Sequence, residues 1–304
     1  MKRDKVILFA ILLCSLFGGR IDVFAKDKLN YPLNGASDVQ EYMKSFENFY
    51  NTSPEVIIFR LLHFVETHPQ SSWADEALLK AGETAEKLGK YEEALGYYQR
   101  VVTEYPQAKK LEESFLWRNY ISEVEISFIN ELYQYYEKYP TYSSDLAYLK
   151  IAKCHSSQSN LDLAIETIAK LTDKYPQGLW EEEDLARITK LEEKRTLPIY
   201  TQAWIRPHRE AYLFLAKLYQ EKGELDRAIA INTVFLEKFG KLTLFWEVKK
   251  NLADLYAEKK EFAKATEILE KTLQEIPAQK NLNPQDAARL QKITQEKIKQ
   301  FKIQ

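Results

Sequence analysis

Apolar positions along this chain follow a helical period, and the pattern comes back several times. In the clearest stretch, Ala81, Gly82 and Ala85 sit on a first helix, and Gly89 and Tyr91 mark a turn. Ala94, Tyr98 and Val101 then follow on a second helix that ends at Pro106. The same offsets give Ile151, Ala152, Leu161, Ala164, Ile168, Leu171 and Pro176. They give Leu215, Ala216, Tyr219, Gly223, Leu225, Ala228, Phe235 and Gly240, and again Leu252, Ala253, Tyr256, Phe262, Ala265, Leu269 and Pro277. Small residues therefore recur at two fixed places, Gly82, Ala152, Ala216 and Ala253 in the first helix and Ala94, Ala164, Ala228 and Ala265 in the second. Small side chains there let two antiparallel helices approach closely while large neighbours fill the groove.

The ends of the copies set the period. His68-Pro69, Tyr105-Pro106, Tyr139-Pro140, Tyr175-Pro176, Phe239-Gly240 and Ile276-Pro277 are successively 37, 34, 36, 64 and 37 residues apart. The long interval is one repeat plus an insertion at 177–207. The pattern predicts copies at 37–69, 74–106, 110–140, 145–176, 209–240 and 246–277. The first is carried mainly by its second helix, entered by Ser53 as N-cap and Pro54 as first helical residue. The copy at 110–140 is degenerate, with Phe115, Trp117 and Tyr120 in place of small residues. Within the insertion, residues 180–195 read as a charged helix opened by Glu181, Glu182, Glu183 and Asp184, and residues 196–207, with Pro198 and Pro207, read as extended. It is either a spacer or a binding feature. Asn283-Pro284 opens a last helix, 283–304, expected to cap the stack.

These residues resemble the tetratricopeptide repeat over about 37–277. The resemblance implies an all-α fold, a right-handed α-solenoid of helix-turn-helix repeats whose first helices line a concave groove. Carried over offset by offset, it puts Glu76, Leu79, Glu83, Leu149, Lys153, Leu213, Lys217, Lys250 and Asp254 on the groove. That lining suits an extended or helical peptide. The family's carboxylate clamp needs Lys and Asn where Leu79 and Glu83 stand, which argues against capture of a free C-terminus.

Composition agrees with a helical protein: only nine glycines among 304 residues, 45% hydrophobic and 29% charged. A net charge of −2 with no basic stripe speaks against a nucleic-acid partner. The first 25 residues read as a secretory signal, with a basic start, an apolar run at 6–17 and Val23-Phe24-Ala25 as cleavage site, followed by a linker at 26–36. The alternative is an uncleaved N-terminal anchor. The run is too short to span a bilayer, so no spanning segment is expected after cleavage. Cys14 raises lipidation, against which Leu13 speaks, since a small residue is needed just before the modified cysteine. Loss of 1–25 removes four basic and two acidic residues, leaves a charge of −4, and leaves Cys154 with no partner for a disulfide.

No catalytic or metal constellation emerges. His63, His68, His155 and His208 have no ligand partners at helical spacing, and Cys154 and His155 point apart on a helix. His208-Arg209-Glu210 matches part of a deaminase signature whose cysteine pair is missing. No enzyme and no cofactor are expected. Tyr133, Tyr135, Tyr136, Tyr139 and Tyr142 cannot all face one core, and Tyr133, Tyr136 and Tyr142 are candidates for either inter-repeat packing or partner contact. Export signal and repeat together resemble bacterial envelope proteins of this family, of the outer-membrane-assembly and Tol-Pal-coordinator type. The expected function is a periplasmic or outer-membrane-associated scaffold for envelope proteins. The alternatives are a glycan-binding accessory of cell-wall enzymes and a self-associating solenoid.

Overall fold

A computed structural model describes residues 51–108, 142–174, 200–239, 246–278 and 283–304, with a few positions between 38 and 47. The signal and linker at 1–36, the whole of 110–140 and residues 177–199 of the insertion lie outside the described residues. The described helices are α1 (Pro54–Thr67), α2 (Ala74–Lys87), α3 (Tyr91–Glu104), α4 (Ser143–Ser157), α5 (Leu161–Lys174), α6 (Tyr200–Glu221), α7 (Leu225–Phe239), α8 (Trp246–Glu258), α9 (Phe262–Glu275) and α10 (Pro284–Ile303). No β-strand occurs among the described residues. The result is an α-solenoid of stacked helix pairs, α2/α3, α4/α5, α6/α7 and α8/α9, with α1 on α2 and α10 on α9.

Each pair turns back through three residues, and one backbone position makes that turn possible. Gly89 (φ +72°) and Gly223 (φ +75°) hold the left-handed conformation, and Ser159 (φ 63°) and Lys260 (φ 64°) hold it at the same offset in the other two pairs. The next residue's N–H reaches back to a helical carbonyl each time: Lys90 to Ala85 (3.0 Å), Asn160 to His155, Glu224 to Tyr219 and Glu261 to Tyr256 (2.8 Å each). That bond satisfies an orphan carbonyl at the helix end.

Inside each pair the small positions are sealed. Ala94, Ala152, Ala164, Ala216, Ala228, Ala253 and Ala265 are all buried, as is Gly82. The ring of Tyr98 lies where a Cβ on Gly82 would be, 2.3 Å from its ideal position, and its hydroxyl donates to Glu86 at 2.6 Å. Glu86 and Glu83 both accept Lys150 of the following pair at 3.3 Å. The N-terminal end is aromatic: Tyr42 stacks on Trp73 (5.0 Å) and packs edge-on against Phe64. Ser53 Oγ accepts from the Val56 N–H at 3.4 Å and Pro54 starts α1. Asn283 Oδ1 accepts from the Asp286 N–H at 2.8 Å to start α10. Pro106 follows the end of α3 in the open, Pro277 sits in a 3₁₀ turn (Ile276–Ala278) after α9, and Pro176 lies outside the described residues.

One expectation is corrected. The prolines predict an extended stretch up to residue 207, but α6 runs unbroken from Tyr200. Pro207 lies inside the helix, where its missing N–H and its ring both disfavour it, and burial of Ala211, Leu215 and Leu218 downstream sustains the helix. The copies on either side of 110–140 are, moreover, adjacent in the stack. The helix pair α2/α3 packs directly on α4, and the Ser143 N–H donates to Ala108 O at 2.9 Å.

The left-handed turns and the Gly82 contact yield two predictions. Lys260→Gly should stabilise the protein by about 1 kcal/mol, because a β-carbon is penalised at positive φ. Gly82→Ala should destabilise it by about 1–2 kcal/mol despite alanine's better helix propensity, since the Tyr98 ring is held at both ends. Urea unfolding followed by circular dichroism measures both.

Candidate functional site

The first helices α2, α4 and α6 lie side by side, and α10 continues the row beyond α8 by packing against it and α9. Three of the nine groove residues named from the repeat offsets are therefore corrected. Leu79 and Leu149 are only 1% exposed, and Glu76 is buried as well, with Lys80 as its ion partner at 3.6 Å. Leu79 shares a core with Ala147 and Ile151 of α4, and Leu149 shares one with Ala211 and Leu215 of α6. Each next first helix closes over the leucine before it, so these side chains hold the stack together rather than face a partner.

A second offset carries ion pairs from one first helix to the next. Glu83 meets Lys150 at 3.3 Å, Lys153 meets Glu210 at 3.3 Å, and Asp254 meets Lys297 of α10 at 2.7 Å, with Lys250 beside it at 3.1 Å. Burial disfavours the charge on Lys150, but Glu83 and Glu86 outweigh it and hold its pKa above the usual lysine value. Lys217, at the same offset in α6, instead pairs within its own helix with Glu221 at 3.3 Å. Its side chain is 65% exposed, and Leu213, one turn earlier, is 37% exposed. Of the nine residues these two form the open part of the row, a cationic tip beside an apolar side chain.

The remaining candidates divide. Tyr133 and Tyr136 lie outside the described residues. Tyr142 caps α4, its backbone N–H donating to Asp145 Oδ2 at 3.1 Å. Cys154 is buried, and burial followed by the Glu86 charge pushes its thiol up to about 12, so it packs rather than reacts. Among the described residues no group of three His, Cys, Asp or Glu side chains is placed to hold a metal ion, and no helix is long and apolar enough to cross a membrane.

One polar cluster escaped the sequence reading. Ser143, Ser144 and Asp145, the first turn of α4, are buried. Ser143 Oγ donates to Asp75 Oδ2 of α2, and Ser144 Oγ donates to Pro106 O at 3.2 Å. Asp145 Oδ2 lies 3.6 Å from Nε2 of the buried His208 of α6. Burial pushes the Asp75 carboxyl up to about 7; Glu76 adds to the rise and the Ser143 hydroxyl opposes it. The sequence shows a serine–serine–aspartate helix start but not its partners, which lie 68 and 63 residues away.

The chain matches the tetratricopeptide repeat family model at residues 76–108 and 146–178. No curated protein matches it. Among solved structures it is similar to a MamA RS-1 ArsTM double mutant, at 12% identity, TM-score 0.49, and coverage of 82% of this chain and 99% of the other. It is also similar to MamA 41-end from Desulfovibrio magneticus RS-1, at 12% identity, TM-score 0.48, and coverage of 82% and 99%. A thermophilic TPR protein of Thermus thermophilus, TTC0263, follows at 14%, 0.36, and 84% and 98%. Likeness at that level carries nothing about function. Two stretches of the chain thus match the tetratricopeptide repeat, and the helix pairs α2/α3 and α4/α5 that carry them stand in a helical solenoid.

Proposed function

We propose that this chain is a protein-binding scaffold that works after export into a bacterial envelope, and that it grips a partner segment on α6 around Leu213 and Lys217. The observation that carries the reading is the interrupted row of ion pairs. Among the described residues Glu83, Lys153 and Asp254 each pair with the next helix of the row, and Leu79 and Leu149 are covered. At α6 an apolar side chain and a long cation stand open one helical turn apart. A helical or extended peptide offering an apolar residue next to an acidic one matches that pair in shape and charge. Repeats of this family bind other proteins, which supports the class of partner. The export reading rests on the basic start, apolar run and Val23-Phe24-Ala25 site of residues 1–25. A role beside outer-membrane assembly or the Tol-Pal system fits that address.

The test is capture from bacterial envelope extract on immobilised protein beginning at Lys26, read by mass spectrometry. A Leu213→Asp/Lys217→Glu variant should lose the specifically captured proteins by about tenfold or more, the scale of one or two interface anchors. Leu163→Ser, on the exposed side of a second helix, should retain them. Equal capture by all three proteins sinks the α6 site. Cell fractionation tests the address: the full chain should be processed after Ala25 and recovered outside the inner membrane. Recovery of unprocessed chain in the cytoplasm overturns the export reading.

A further inference from the structure

The first turn of α4 is bound from both sides by buried titratable groups. Ser143 donates to Asp75 from α2, and Asp145 faces His208 from α6, all of them buried. We propose that this turn is a proton-responsive clasp, which holds α2 and α6 against α4 more tightly in mild acid than in mild base.

The chemistry on each side has the same sign. A buried carboxylate is costly, so Asp75 prefers its neutral form in the folded stack, where the proton also makes it a hydrogen-bond donor. Its folded pKa of about 7 lies above the usual aspartate value of about 4, so the stability it contributes is present at low pH and is lost as pH rises through about 7. An imidazole gains its charge in the same range. A protonated His208, 3.6 Å from the Asp145 carboxylate in a buried setting, gains an ion pair that the neutral ring lacks. At Asp75 tightening therefore runs from about pH 7 down to about pH 4, between its folded and ordinary values.

The charged and titratable groups around the two joints, among the described residues, leave that sign intact. Beside Asp75, the Glu76 carboxylate on α2 opposes ionisation of the carboxyl, while the Ser143 hydroxyl and the backbone N–H groups of Asp75 and Glu76 favour it without reversing the rise. Beside His208 on α6 stand Arg209 and Glu210, and the Glu210 carboxylate meets Lys153 of α4 at 3.3 Å. Because Ser143 and Asp145 share one helical turn, strain or slack at one joint reaches the other through two residues of rigid backbone. The Ser143 N–H bond to Ala108 and the Ser144 bond to Pro106 pin that turn to the end of the preceding pair.

The experiment is thermal unfolding of the full chain at about pH 5.5 and about pH 8. The native protein should melt several degrees higher in acid, Asp75→Asn and His208→Gln should each shrink that difference, and the double variant should nearly remove it. His63→Gln, on an exposed helix face, should leave the difference as it is. A native difference retained by both single variants overturns the clasp, whatever their absolute stability. Should either variant fail to fold, amide hydrogen exchange of the native protein decides instead. After correction for intrinsic rates, protection at residues 143–146 should be several-fold higher at the lower pH, and equal protection at both overturns the proposal.

Discussion

Everything in this stack depends on how closely the two helices of a pair can approach. At Gly82 the approach is so close that the face of Tyr98 occupies the volume of a β-carbon. In the other pairs alanines hold the two small offsets, Ala152 and Ala164, Ala216 and Ala228, and Ala253 and Ala265, each sealed from solvent. Close approach means dense dispersion contact, but each pair is thin and cannot bury all its apolar surface alone. The leucines at the next offset down each first helix, Leu79 and Leu149, are left to be covered by the following repeat. Stacking is thus a consequence of the small residues: the pair is completed by its neighbour.

The neighbour is then aligned by charge. The pairs Glu83–Lys150, Lys153–Glu210 and Asp254–Lys297 fall at one offset along successive first helices. Part-exposed pairs of this kind contribute little to stability, roughly 0–1 kcal/mol each. Their value lies in register, since a slip of one turn would set Glu83 against Leu146 or Cys154 and Asp254 against Ile293 or Phe301 in place of a lysine. Tyr98 links the two systems, because its ring fills the space above Gly82 while its hydroxyl engages Glu86, one of the two carboxylates on Lys150.

What the sequence made legible follows from this division. Contacts within a pair constrain residue volume at short range, so Gly82, Ala94 and their counterparts announce themselves through offset alone. Turn chemistry was half visible: Gly89 and Gly223 mark the left-handed position, but Ser159 and Lys260 take the same φ without a glycine to signal it. Helix starts at Ser53 and Asn283 were readable because the capping side chain is local. Contacts between pairs were not readable, since they depend on how one repeat seats on the next. That is why Leu79 and Leu149 looked like groove and proved to be core, and why Asp145 and His208, 63 residues apart, looked unrelated. Pro198 and Pro207 suggested an extended segment, but at Pro207 tertiary burial outweighs the lost hydrogen bond and the crowding of the ring.

The same logic explains why the open site falls on α6. A first helix is covered on its inner face wherever its successor reaches across with a matching charge, as α4 does for α2 and α10 does for α8. Lys217 instead meets an acid of its own helix, four residues on, so that pair asks nothing of the next helix. Leu213, one turn before Lys217, is left 37% exposed. Exposing a leucine costs the stack some apolar burial, about 1 kcal/mol for a partly buried side chain, and that lost burial is available to whatever protein segment covers it.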